Sequence, residues 1–373
     1  MNNTGRAAIY KGPGAGYELE ELPLPDLEPG SVLVKVSMGG VCGSDLHIWR
    51  GDSPVWGALV GRPGGHEMVG VVAALGDGVS TDSLGQPLKE GDRVAYAYFY
   101  PCLHCWSCLH GQFAACPNKT ARMGSEHTRF TGAYAEYYYL QPTHWVFKVP
   151  DELSDEVVTP VNCALSQVIF GLHQAGLRFG DTLVVQGAGG LGINACAVAR
   201  DMGAEMIIVI DAVAERLELA RAFGADETIN ISEMPDIMAR VQRVQELTGG
   251  KGADVVGEFV GLPGVIPEGL SMLRAGGTYL EVGNISIGNT VEIDPAAMFT
   301  WGSKKLVGVI MYDPWVIPKA LDFLIRAKGR FPFDRVVSHK FALSDINEAF
   351  QQAEWQNREG DPTKISRAVI LPG

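Results

Sequence analysis

Residues 182–211 read TLVVQGAGGLGINACAVARDMGAEMIIVID, and the rest of the chain is organised around them. Residues 182–186 are a short β-rich run of the kind a strand buried on both faces requires. Gly187, Gly189 and Gly192 take the first, third and sixth positions of G-x-G-x-x-G. The first permits a tight turn, the second lets backbone N–H groups approach a pyrophosphate, and the third lets the next helix pack close to the strand. Residues 193–202, rich in alanine and valine, supply that helix, whose N-terminus carries partial positive charge. A second apolar strand, 206–210, ends at Asp211, about 20 residues after the last glycine, where a dinucleotide fingerprint places an acid. A glycine-rich surface turn accounts for none of this context. The stretch reads as a dinucleotide site, with Gly187, Gly189, Gly190, Leu191 and Gly192 around the phosphates. An acid at 211 accepts hydrogen bonds from ribose hydroxyls and repels a 2′-phosphate, so NAD is expected over NADP. Arg216 lies near enough to soften that choice.

Beyond Asp211 helices and strands alternate. Helices are expected at 215–223 and 237–247, and strands at 227–231, 252–256, 276–282 and near 306–309. Such alternation predicts an α/β unit with a doubly wound parallel sheet of Rossmann type. Upstream, to about residue 150, strand candidates at 32–36, 69–75, 93–98, 134–140 and 145–149 are separated by glycine and proline turns. They predict a barrel or a partly open sandwich. Ser154, followed by Asp155 and Glu156, has the character of an N-cap, and a helix or helix pair is expected from there to Gly176. A helix at 314–327 and a strand at 368–370 are expected to return to the first part of the chain.

The 373 residues suit two domains, and 46% hydrophobic content with 20% charge suits a soluble globular protein with a large core. A net charge of −13 disfavours nucleic acid and anionic membrane as partners, because both attract basic surfaces. No apolar run reaches the ~18 residues of a membrane helix, and no signal-peptide pattern stands near Met1, so a cytoplasmic address is expected.

Four of the seven cysteines fall at Cys102, Cys105, Cys108 and Cys116. An odd total and tight clustering favour metal ligation over disulfides. Four thiolates at this spacing can close a tetrahedral Zn²⁺ site with no open position, which makes its role structural. A four-cysteine iron–sulfur cluster uses similar spacing. A nucleic-acid-binding zinc ribbon is the other rival, and the acidic balance of the chain opposes it.

Cys42, in Gly40-Val-Cys-Gly-Ser-Asp-Leu-His47, and His66, in Gly65-His-Glu67, are a second set of metal-compatible side chains. Alone, each also reads as an ordinary buried residue. Together with the cysteine loop and the glycine fingerprint, they resemble the zinc-dependent medium-chain alcohol dehydrogenases over essentially the whole chain. The resemblance implies a β-rich GroES-like catalytic domain from residues 1–164 and 309–373, with an NAD-binding domain at 165–308. It makes Cys42, His66 and Cys163 the catalytic zinc ligands, although polyol relatives often carry glutamate at the third position. Two zinc ions per chain follow, one catalytic and one structural.

The same resemblance makes Glu67 an acid near the zinc and Asp45 the carboxylate that orients His66, although Asp45 also reads as a simple turn cap. Ser44 would take the hydroxyl proton, and His47 would pass it to solvent through the cofactor ribose. Two thiolates and an imidazole leave a divalent ion formally neutral with one position open. An alcohol oxygen there loses its proton readily, and the carbon can give hydride to the nicotinamide. The active site is expected in a cleft between the domains, at the carboxyl ends of the sheet strands. Cys196 matches no ligand position and reads as a small apolar helix residue.

Trp56, Tyr96, Tyr98, Trp106, Met311 and Tyr312 stand in segments expected to border the substrate, which favours an apolar, secondary or cyclic alcohol. A polyol or a hydroxy amino acid is the alternative substrate class. Two other rivals are a zinc-free quinone reductase of the same superfamily and a non-enzymatic dinucleotide-binding protein with structural zinc only. Family members are usually dimers or tetramers, and a homotetramer is expected.

Overall fold

The computed structural model describes residues 3–120, 128–354, 363 and 365–373. The chain divides into two compact units: residues 1–166, 311–328 and 333–373 form one, and residues 167–310 with 329–332 form the other.

The second unit carries a six-stranded parallel sheet. Numbered along the chain, its strands are Thr182–Gln186, Met206–Asp211, Glu227–Asn230, Ala253–Glu258, Leu273–Glu281 and Lys305–Gly308, and their spatial order is 3-2-1-4-5-6. Val184, Ile208, Val256 and Tyr279 are completely buried, because helices cover the sheet. The order reverses between the first and fourth strands, and the glycine loop leaves the first strand at that switch point. Helix Gly190–Asp201 begins within the loop.

The first unit holds a seven-stranded sheet and a separate hairpin. The sheet runs His339–Ala342, Ala368–Leu371, Val32–Gly40, Glu67–Leu75, Arg93–Tyr96, Val146–Lys148, with Tyr137–Leu140 also pairing to Val32–Gly40. The C-terminal strand returns to this unit and meets Val32–Gly40 antiparallel, Val369 opposite Gly40. Hairpin Thr4–Tyr10 with Tyr17–Pro23 buries Ala7, Ile9 and Leu22 against Phe130 and Tyr139.

Three details depart from the sequence reading. Ser154 makes no side-chain cap; its hydroxyl serves Glu156 instead. The helix or helix pair expected from Ser154 to Gly176 is broken by a π-helical turn at Val161–Leu165, between a short helical turn at Asp155–Val158 and helix Ser166–Ala175. Residues 329–332, expected with the first part of the chain, group with the second unit, where Arg330 meets Asp201 at 2.7 Å and Phe331 stacks on Phe223.

Candidate active site and metal centres

Three segments of the first unit converge on one cluster. Cys42 is the residue before helix Gly43–Arg50, His66 directly precedes strand Glu67–Leu75, and Cys163 lies inside the π-helical turn. One ligand atom from each lies within 4.8 Å of the other two. π-Turns are rare and collect at functional sites, since the extra residue re-aims a side chain.

Asn162 fixes this turn and was not singled out from the sequence. It is fully buried; its Oδ1 accepts from Met68 N at 3.1 Å and its Nδ2 donates to the Tyr96 carbonyl at 3.1 Å. The Tyr312 hydroxyl donates to its carbonyl at 2.5 Å. Three β-strand or loop segments thus hold the backbone on which Cys163 rides.

Asp45 is 1% exposed and orients His66 as the resemblance implies, with Oδ1 lying 3.2 Å from Nδ1. Its Oδ2 accepts from Cys42 N at 3.0 Å and from the Tyr134 hydroxyl at 2.9 Å. With Nδ1 so engaged, Nε2 is the nitrogen left to face a metal, and Ser44 Oγ stands 3.4 Å from it. Burial opposes charge on His66, but Asp45 and the Cys42 thiolate push it up to about 10. The hydrogen bond from Cys163 and the nearby His66 hold Cys42 well below the ordinary thiol range, while the same bond and burial raise Cys163. A half-buried thiolate beside a buried thiol and an imidazole is the donor set a divalent soft ion completes. Glu67 is completely buried and paired with Arg367, leaving its Oε1 without a partner.

The four remaining loop cysteines fit a tetrahedron. Sγ separations are 3.5 Å for Cys105–Cys108, 3.8 Å for Cys105–Cys116 and 3.7 Å for Cys116–Cys102. Sulfurs bound to a common zinc at ~2.3 Å stand about 3.8 Å apart, whereas a disulfide needs about 2.05 Å. All seven cysteines are unbridged, and Cys196 is a fully buried helix residue whose thiol burial pushes up to about 12.

In the second unit Gly187 has φ +95°, and a Cβ on it would stand 2.8 Å from Val260. A Cβ on Gly192 would strike the Gly187 carbonyl oxygen. At Gly189 a Cβ would meet nothing within 4 Å, so no protein atom demands that glycine. The space is a cradle for another group, as a phosphate-binding turn requires. Asp211 accepts from Ala188 N at 2.7 Å and from Val213 N at 2.8 Å, tying the loop to the strand tip. Arg216 lies in the first turn of helix Ala214–Ala222.

Of the bulky residues expected around substrate, Tyr98 packs on His66, with ring centroids 5.0 Å apart. Trp106 does not: it is 68% exposed and stacks on His110. Tyr96 packs on Tyr138, and Tyr312 on Phe99. Trp56 is half-buried, and Met311 is buried with φ +63°.

Residues 28–151 match the family model for the alcohol dehydrogenase GroES-like domain, and residues 190–326 match that for the zinc-binding dehydrogenase. The chain is 33% identical to 5-exo-hydroxycamphor dehydrogenase of Pseudomonas putida, across 90% of this chain and 91% of that protein. The chain belongs to the zinc-dependent medium-chain alcohol dehydrogenase family. It is also 31% identical to erythritol/L-threitol dehydrogenase of Mycolicibacterium smegmatis, across 92% of each. Among solved structures, an alcohol dehydrogenase from Thermotoga maritima superposes with TM-score 0.88 at 26% identity, covering 99% of this chain and 100% of that one. Membership makes the protein an oxidoreductase of CH–OH groups that uses a nicotinamide dinucleotide. No helix among the described residues is long and apolar enough to cross a membrane.

Proposed function

We propose that the protein oxidises an apolar secondary or cyclic alcohol to its ketone with NAD, using zinc held by Cys42, His66 and Cys163. The observation that carries this reading is the convergence of those three ligand atoms within 4.8 Å, with Ser44 Oγ 3.4 Å from His66 Nε2. Bound groups would supply a Lewis acid for the hydroxyl and a hydride acceptor for the carbon. The chain's own part is to hold and move a proton. Ser44 takes it from the hydroxyl, and His47, whose burial and neighbouring Arg50 keep it neutral near pH 7, passes it on. Glu67 stays paired with Arg367 and lends negative charge close to the ligand set. Cys102, Cys105, Cys108 and Cys116 hold a structural zinc.

Asp211 supports NAD over NADP, since a carboxylate at the strand tip accepts ribose hydroxyls and repels phosphate. Tyr98 on His66 gives the site an aromatic wall suited to an alicyclic substrate. The hydroxycamphor relative points the same way, whereas the erythritol/threitol relative keeps a polyol as the second reading. The protein is further read as a cytoplasmic homo-oligomer, with a tetramer favoured. Strand Lys305–Gly308 ends the sheet, and Trp301, Leu306 and Ile310 around it are 89%, 53% and 52% exposed. A second copy covers such an edge. A panel of primary, secondary, cyclic and polyhydroxy alcohols with NAD or NADP, followed by absorbance of the reduced cofactor, tests the reading. Highest kcat/KM on cyclic secondary alcohols with NAD supports it, and turnover confined to polyols or threonine-like substrates replaces it with the second reading.

A further inference from the structure

Helix Gly43–Arg50 ends on Gly51, whose φ of +76° turns the chain back so that its N–H meets the His47 carbonyl at 3.1 Å. Asp52 N meets the same carbonyl at 3.1 Å, and the turn places the Asp52 carboxylate beside the His47 ring, Oδ2 to Nδ1 at 2.6 Å. His47 is 7% exposed.

Asp52 is itself held. Arg50 donates from Nε to Oδ1 at 3.2 Å and from Nη2 to Oδ2 at 2.8 Å. The other arm of Arg50 donates to both oxygens of Glu354, each at 2.9 Å. A guanidinium fixed on both sides holds a carboxylate in one orientation. An unprotonated Nδ1 at 2.6 Å from a carboxylate oxygen would set two lone pairs against each other. Nδ1 therefore carries the hydrogen and donates it to Asp52, although Arg50 Nη2 also lies 3.1 Å from that nitrogen.

We propose that Asp52, clamped by Arg50 and Glu354, is a positioning residue that fixes His47 as the Nδ1–H tautomer, leaving the Nε2 lone pair to receive the substrate's proton. The inference rests on the reading of His47 as the proton acceptor beyond Ser44. The alcohol loses one proton, Nε2 gains one, and the imidazolium donates to Asp52 until solvent takes a proton back. Asp52 stays ionised throughout. Arg50 holds the ring-facing Oδ2 most closely, with Nε also at 3.0 Å, so Asp52→Asn would keep an oxygen toward the ring; in Asp52→Ala the acceptor is gone and the group left beside Nδ1 is Arg50 Nη2, a donor 3.1 Å away. A donor there demands the opposite tautomer, with hydrogen on Nε2 and nothing left to accept.

The test combines ¹⁵N NMR of histidine-labelled enzyme with steady-state kinetics, His47→Gln serving to assign the signal. Native enzyme should show His47 protonated at Nδ1, and Asp52→Ala should show it protonated at Nε2. Alcohol-oxidation kcat should fall about 10²-fold in Asp52→Ala, as for loss of a positioned base, with alcohol KM within about threefold of native. Asp52→Glu, which keeps the acceptor, should recover at least part of kcat and retain the Nδ1–H signal. An Nε2–H tautomer in the native enzyme overturns the proposal even if Asp52→Ala fails to fold. So does Asp52→Ala that keeps both the native tautomer and native kcat while His47→Gln is slow. Native kcat in His47→Gln instead removes the acceptor role of His47, a separate failure of the underlying reading.

Discussion

At Asp211 one carboxylate has two duties. Its oxygens hold Ala188 N and Val213 N, and the same group is the one expected to face the cofactor ribose. Asp211→Gly should therefore lower the preference for NAD over NADP by about tenfold and also loosen the glycine loop, weakening both cofactors. Dinucleotide titrations followed by fluorescence measure the two effects separately; an unchanged NAD/NADP ratio would assign discrimination to another residue. Residues with a fixed place in a motif were legible: Cys42, His66 and Cys163 were expected together by resemblance, and their ligand atoms lie within 4.8 Å of one another. Asn162, Tyr134 and Arg367 were not. Each acts on a partner that is remote in sequence, and only the folded sheet brings Tyr134 to Asp45 or Arg367 to Glu67. A buried asparagine beside a ligand cysteine was the one available signal. Asp52 was equally hidden, because the Gly51 turn that returns it to His47 looks like any loop.

Among the elements, strands of the second unit read clearly, because burial on both faces writes continuous apolar runs. Short elements did not. Helix Gly43–Arg50 begins on glycine and is packed into place by the fold, and hairpin Thr4–Tyr10 with Tyr17–Pro23 contains too few alternations to stand out. The π-helical turn at Val161–Leu165 leaves no periodic mark at all. Adjacent strands Ala253–Glu258 and Leu273–Glu281 end in register on two acids, Glu258 opposite Glu281. Burial first, and then the charge of Glu281, pushes Glu258 from 4.5 up to about 8. The folded protein thus holds a proton that the unfolded chain releases near 4.5, so this pair favours folding below that pH and the contribution is lost as pH rises to about 8. Glu281→Gln turns the unpartnered Oε2 position into a donor toward Glu258. It should raise the melting temperature at pH 8 by about 2–4 °C, for roughly 1 kcal/mol, and leave it almost unchanged at pH 4.5. Equal shifts at both pH values would show that the carboxylate pair does not share a proton.

For the whole molecule, the division into a β-rich unit and a parallel-sheet unit followed from the change of periodicity along the chain, while the grouping of residues 329–332 depended on tertiary contacts of Arg330 and Phe331. Exposed apolar side chains at the end of the parallel sheet argue for self-association. Leu306→Lys should shift the species seen by light scattering to a smaller assembly, with each chain still folded; an unchanged mass would place the interface elsewhere. The central claim is that one chain builds two metal centres of different kinds, an open one at Cys42, His66 and Cys163 and a closed one at the four clustered cysteines. Zinc per chain, measured by elemental mass spectrometry on native enzyme and on Cys163→Ala, tests it most directly. The account predicts about two zinc ions per native chain and one in the variant, with turnover lost and NAD still bound. One zinc per chain in fully active native enzyme, or a Cys163→Ala protein that keeps both zinc and turnover, would contradict it.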